Sequence, residues 1–204
     1  MNLPVFRKLE YFLIGIFSLV FIYYAFQALM IGDTFRFMVV LIPSLALSLL
    51  PVVFEYVMKV TLPPGVKPLI ALALLLHVAG GISRLYWKFA PFYDKVAHVC
   101  SALALFLLII TFFLVVDHLG KTVSWRTALM SSLVITTVFM VSWEISEYLI
   151  DVMAKTSYNN GIGDTIGDLI ANCIGILFGI FIVRYYRRML PAGKNPGYLL
   201  TLKD

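Results

Sequence analysis

Residues 164–187, DTIGDLIANCIGILFGIFIVRYYR, decide the fold. At about 1.5 Å per residue, a helix of this length spans the roughly 30 Å of a bilayer core. Its opening turns nevertheless carry Asp164, Asp168 and Asn172, each four residues from the next, and Gly167, Ala171, Gly175 and Gly179 run alongside them. Such ladders of small residues let membrane helices approach closely. At 100° per residue the ladder overlaps the face bearing the two aspartates, so the acids are expected to point into a helical bundle and away from lipid. Arg184, Arg187 and Arg188 then mark a membrane boundary.

The rest of the chain agrees. Of 204 residues, 61% are hydrophobic and 13% charged, and mean hydropathy is +0.95; ordinary globular domains hold about 45–50% and about 25%. Too little polar side chain remains to cover a water-facing surface. Intrinsic disorder, a disulfide scaffold and a nucleic-acid-binding arm are excluded together. The basic residues behind the net charge of +5 and the pI near 9.2 stand at the ends of apolar runs, where membrane topology explains them. The partner implied is the lipid bilayer, with no nucleic acid. Cys100 and Cys173 lie in apolar stretches and read as small buried hydrophobes.

The expected fold is an all-α, polytopic membrane bundle of six transmembrane helices in one domain over 1–189. The helices fall at about 10–31, 35–58, 68–88, 94–116, 126–150 and 164–187, and a loosely ordered basic tail follows over 190–204. The apolar run after Arg7 and Lys8 exceeds the roughly 7–15 residues of a cleavable signal core, so an uncleaved first span is expected. Pro43 and Pro51 predict a kinked second helix. Pro63-Pro64-Gly65 and Ala90-Pro91 predict breaks, with Tyr86 and Trp87 as interface anchors between them. Six spans put both termini on one side with Lys59, Lys67, Lys121, Arg126 and the tail's basic residues, against only Arg36, Arg84, Lys88, Lys95 and Lys155 on the other. The positive-inside rule places both termini in the cytoplasm of a multi-pass cell-membrane protein. The two halves share no pattern that would suggest an inverted-repeat transporter.

Three polar stripes then fall at one depth. Asp94, His98 and Ser101 share a face at the start of span four, Glu144, Glu147 and Asp151 share one near the end of span five, and Asp164, Asp168 and Asn172 open span six. Span four enters from outside, span five exits there and span six re-enters, so the stripes meet at the extracytoplasmic ends of adjacent helices. An ionised carboxylate at the bilayer centre costs about 2.5–3.5 kcal/mol on insertion scales, less toward the interface. So many acids require a bound cation, a wet cavity with basic partners such as Arg84, Lys88, Lys95 or Lys155, or protonation. The competing reading is a buried ion-pair network that only locks the helices.

The linker Ser157-Tyr158-Asn159-Asn160-Gly161-Ile162-Gly163 suits a turn. It reads either as a tight loop with an N-cap or as backbone at Asn160 and Gly161 offered to an anion such as phosphate. His77, in mid-span, is expected to hydrogen-bond a neighbouring helix, Asp117 and His118 to form a solvated boundary, and Glu55 to reach the interface.

The pattern Tyr93-Asp94-Lys95-x-x-His98, then Glu144-x-x-Glu147, then Asp164-x-x-x-Asp168-x-x-x-Asn172-x-x-Gly175-x-x-x-Gly179 resembles the VanZ-like superfamily over about residues 93–180. Within it, the chain looks closest to the YjdF-like branch of small bacterial and archaeal inner-membrane proteins. The resemblance implies that the family's first acid and histidine correspond to Asp94 and His98, its acidic pair to Glu144 and Glu147, and its acid-acid-asparagine run to Asp164, Asp168 and Asn172. VanZ-like proteins often carry glutamine where Glu147 stands and an arginine ahead of the acidic run, where this chain has Asn-Asn-Gly. The name-giving member's association with low-level glycopeptide resistance implies envelope biology; the resemblance implies no single reaction.

Three functions compete. In the first, Asp94, Glu144, Asp164, Asp168 and Asn172 hold a divalent cation, Mg²⁺ or Mn²⁺, the ions suited to carboxylate and amide oxygens. His98 or Glu147 serves as general base, and Arg84, Lys95, Asn160 and Gly161 meet the phosphate of a lipid or lipid-linked substrate. In the second, the acids form the relay of an ion- or proton-coupled carrier. In the third, the chain is a non-catalytic membrane partner whose acids hold the bundle together.

Overall fold

The computed structural model describes residues 3–154 and 161–201, and among them every regular element is helical. In order these are α1 (Leu3–Met30), a π-helical segment (Arg36–Leu41) running into α2 (Ile42–Met58), α3 (Val66–Ile82), the single turn α4 (Leu85–Lys88), α5 (Phe92–His118), α6 (Trp125–Ala154), α7 (Ile162–Met189) and a 3-10 helix (Pro196–Thr201). Five stretches are long and apolar enough to cross a bilayer: Val5–Met30, Arg36–Met58, Phe92–His118, Trp125–Met153 and Ile162–Met189. The helix α3 is also apolar but has only 17 residues.

The third span expected over 68–88 therefore ends early, for a local reason. Arg84 takes a left-handed backbone conformation, φ 52°, and turns the chain back on itself. The Tyr86 ring then lies on Gly80, where a Cβ would collide with it, and its hydroxyl stands 2.6 Å from His77 Nδ1. Pro43 likewise departs from expectation. It sits where the π turn runs into α2, so the helix widens just ahead of the ring that removes one of its N–H donors, while Pro51 lies inside α2.

The long helix α5 is the axle of the bundle, packed on α3, α6, α7 and the 3-10 helix. Its Phe106, Leu107, Ile110 and Leu114 form a core with Val66, Ala128, Ile176, Val183, Tyr186, Leu199 and Leu200. A smaller core joins Phe21, Ala28, Leu41 and Val78. The ladder on α7 does what its spacing predicts: a Cβ on Gly175 would strike the Val99 carbonyl and Ala102, and one on Gly179 the Phe106 ring. Large apolar side chains such as Phe12, Leu19, Phe26, Val138 and Phe139 face outward, a surface suited to lipid. Cys173 is exposed rather than buried, and Cys100 is half-buried, because residue 173 is turned about 100° from Asn172 and the α5-facing ladder.

The tail is ordered through its described residues, contrary to expectation. The Asp117 carboxylate accepts the backbone N–H groups of Val123 at 2.9 Å and Gly197 at 2.8 Å. Thr61 N–H donates to the Leu200 carbonyl at 2.9 Å, and Leu199 and Leu200 enter the main core. Asp117 is thus buried, not a solvated boundary; two charge-assisted bonds offset its desolvation. Nearby, Lys67 is sealed between Glu55 at 2.8 Å and Glu10 at 3.2 Å. Glu55 also accepts the Leu62 N–H at 2.6 Å and the Tyr11 hydroxyl at 3.0 Å, while Glu10 accepts the Gly65 N–H. Glu55 is drawn into the bundle instead of reaching the interface.

Candidate functional site

The site lies at the opposite end of the bundle, where the first turns of α5 and α7 meet the last part of α6. Helix α5 starts directly after Pro91, so Asp94 falls in its first turn, where the helix dipole favours an acid. Helix α7 starts after Gly161, at φ 101°, whose carbonyl accepts the N–H groups of Asp164 and Thr165 at 2.9 and 3.2 Å. One turn on, Gly167 leaves room for the Lys95 side chain: a Cβ there would lie 3.0 Å from Lys95 Cε.

Lys95 is the hub. Its ammonium lies 2.5 Å from Asp164 Oδ1, 2.7 Å from Asp168 Oδ1 and 3.1 Å from Asp94 Oδ2. Three donors thus meet three carboxylates from two helices. Behind them sits His98. Its Nε2 is 3.5 Å from both Asp94 Oδ1 and Asp168 Oδ1, and its Nδ1 is 3.6 Å from Glu144 Oε1. His98, Glu144, Asp168 and Asn172 are all buried. Neither Glu144 oxygen has a hydrogen-bond partner among the described residues, nor does either polar atom of Asn172. Glu147 accepts the Trp143 indole N–H at 2.8 Å. Two overlapping donor sets result, Asp94–His98–Asp168 and His98–Glu144–Glu147; within each, one ligand atom per residue lies within 4.8 Å of the others.

The structure therefore gathers Asp94, Lys95, His98, Glu144, Glu147, Asp164 and Asp168, with Asn172 one turn further along α7. It does not gather Arg84, which is exposed ahead of α4 and makes no ion pair among the described residues. Asn160 and Lys155 fall outside the described residues, and Gly161 is described as the cap of α7. Ser101 leaves its expected stripe for His77, 2.8 Å from Nε2; His77 thereby bonds a neighbouring helix, as expected. The sequence reading passed over Ser132 and Thr136 of α6, both fully buried with unpaired hydroxyls among the described residues. Their signal is spacing: they precede Glu144 by twelve and eight residues, on the same buried seam of the helix.

A family model described as "Predicted membrane protein (DUF2238)" matches residues 9–189. No curated protein and no solved structure matches the chain.

Proposed function

The chain belongs to DUF2238, a family of predicted membrane proteins, and on that premise we propose that it is a multi-pass cell-membrane protein performing cation-assisted chemistry on a lipid or lipid-linked envelope substrate. The helix α3, about 26 Å long at 1.5 Å per residue, is near the lower limit for a crossing and serves as the sixth span. Both termini then lie in the cytoplasm with most of the Lys and Arg residues, and the chamber between α5, α6 and α7 opens toward the outer leaflet. The VanZ/YjdF-like pattern over about 93–180 supports an envelope substrate.

One observation carries the reading: Glu144 is buried with both oxygens unpartnered among the described residues while His98 Nδ1 stands 3.6 Å away. A buried carboxylate with no hydrogen-bond donor is costly, and a divalent cation held by this acid and its neighbours would offset that cost. Such an ion would polarise a phosphate oxygen and lower the pKa of an attacking water held beside it. Arg84 and the backbone at Gly161, at the same end of the bundle, meet the substrate's negative charge. Lys95 is already committed to three carboxylates, so its part is to fix them.

The test is reconstitution in vesicles of native lipid extract with Mg²⁺ or Mn²⁺, followed by mass spectrometry of the lipids. One lipid class should change, and EDTA or His98→Ala should abolish the change; an unaltered lipid profile in every condition counts against the reading. A second reading, an ion- or proton-coupled carrier, is favoured by Ser132 and Thr136. Their unpaired hydroxyls extend polar atoms about 12–18 Å along α6 from Glu144. Proton-driven uptake in the same vesicles, lost in Ser132→Ala/Thr136→Ala, would select it.

A further inference from the structure

We infer that the chamber is divided in two and that its cation site is the inner half, formed by His98 Nδ1, Glu144 and Glu147 and completed by the Asn172 side-chain oxygen, while Lys95 fills the outer half. This rests on the cation reading above and names the donors.

The outer half is closed by its own lysine. Asp94, Asp164 and Asp168 are each within 3.1 Å of the Lys95 ammonium. A divalent ion placed among them would stand within a few ångströms of that positive charge and be repelled. The inner half has the opposite character. Glu144 is 4% exposed and Asn172 2% exposed, and all four of their side-chain polar atoms lack a hydrogen-bond partner among the described residues. The 3.6 Å between His98 Nδ1 and Glu144 Oε1 is too long for a hydrogen bond. Two donors that share one ion through bonds of about 2.0–2.2 Å stand roughly 3.0–3.5 Å apart, so a small movement closes the set around an ion.

The outer half then acquires a role. His98 turns Nε2 toward Asp94 and Asp168, both held by Lys95. A carboxylate behind the far nitrogen keeps the proton there and leaves the near nitrogen's lone pair free, the arrangement found behind metal-bound histidines. Lys95, Asp94, Asp164 and Asp168 are thus positioning residues that act on the ion through His98. Trp143 does the same for Glu147 by occupying Oε1. One imidazole nitrogen among carboxylate and amide oxygens suits Mn²⁺ better than Mg²⁺, which takes oxygen almost alone.

The experiment uses the full chain purified in detergent, stripped with EDTA and titrated with Mn²⁺ while the free ion is followed by electron paramagnetic resonance. One equivalent should bind. Glu144→Gln should weaken binding at least tenfold and Asp164→Asn less than threefold, although each removes one carboxylate. Pulsed spectra of the bound ion should show coupling to one imidazole nitrogen, a measurement on the unmodified protein that holds even if Glu144→Gln does not fold. Equal losses in the two variants, bound Mn²⁺ without nitrogen coupling, or no Mn²⁺ uptake would overturn the division. Uptake of neither Mn²⁺ nor Mg²⁺ would overturn the cation reading as well.

Discussion

Lys67 is 1% exposed, with its ammonium 2.8 Å from Glu55 and 3.2 Å from Glu10. One positive charge faces two negative ones, and the Leu62 and Gly65 N–H groups and the Tyr11 hydroxyl supply the remaining donors. Lys67→Met would leave two carboxylates buried side by side, and breaking a buried pair this way costs about 3–5 kcal/mol. Thermal unfolding in detergent should show a large fall in midpoint, and Glu10→Leu/Glu55→Leu/Lys67→Met should recover most of it, since replacing a whole ionic cluster by apolar groups is close to neutral. None of this was legible beforehand. Glu55 and Lys67 are twelve residues apart across a turn, Glu10 is on another helix, and no periodicity links them. The spacing of Asp164, Asp168 and Asn172 announces a shared face, by contrast. Lys95 lies between these cases: it was one of four basic residues on the side of the acids, but its reach to α7 depends on the bare flank of Gly167.

At the scale of elements, the pairing of α5 with α7 is the part the sequence displays best, because small residues and acids recur there at helical spacing. Gly175→Ala should cost about 1–3 kcal/mol through overpacking, as its Cβ meets backbone rather than a side chain that can swing away. Gly163→Ala, with nothing within 4 Å, should be neutral or slightly stabilising; unfolding midpoints of the two variants compare them directly. The boundary of α3 was hidden for the opposite reason. Arg84 and Lys88 read as the charged end of a span, and what no local pattern encodes is the left-handed turn at Arg84 that folds the Tyr86 ring over Gly80 to reach His77.

Across the whole molecule, polar structure collects at two ends: the acidic chamber at one, the Lys67 cluster and the Asp117 clasp at the other. The Pro- and Gly-containing tail looked loose because its anchor is the backbone N–H of Gly197, invisible in side-chain chemistry. Asp117→Ala removes two bonds to a charged acceptor, each worth about 1.5–3 kcal/mol, so the opened tail should become at least tenfold more populated. Limited trypsin digestion read by mass spectrometry should show faster cleavage after Lys194 than in the parent chain; an unchanged rate would mean that Leu199 and Leu200 alone hold the segment. Both ends are carried by one unbroken helix, with His98 near its start and Asp117 near its finish, about 28 Å apart along the axis. A stiff shaft does not turn at one end alone. A break in the middle of α5 should therefore loosen the acidic chamber and the grip on Gly197 together.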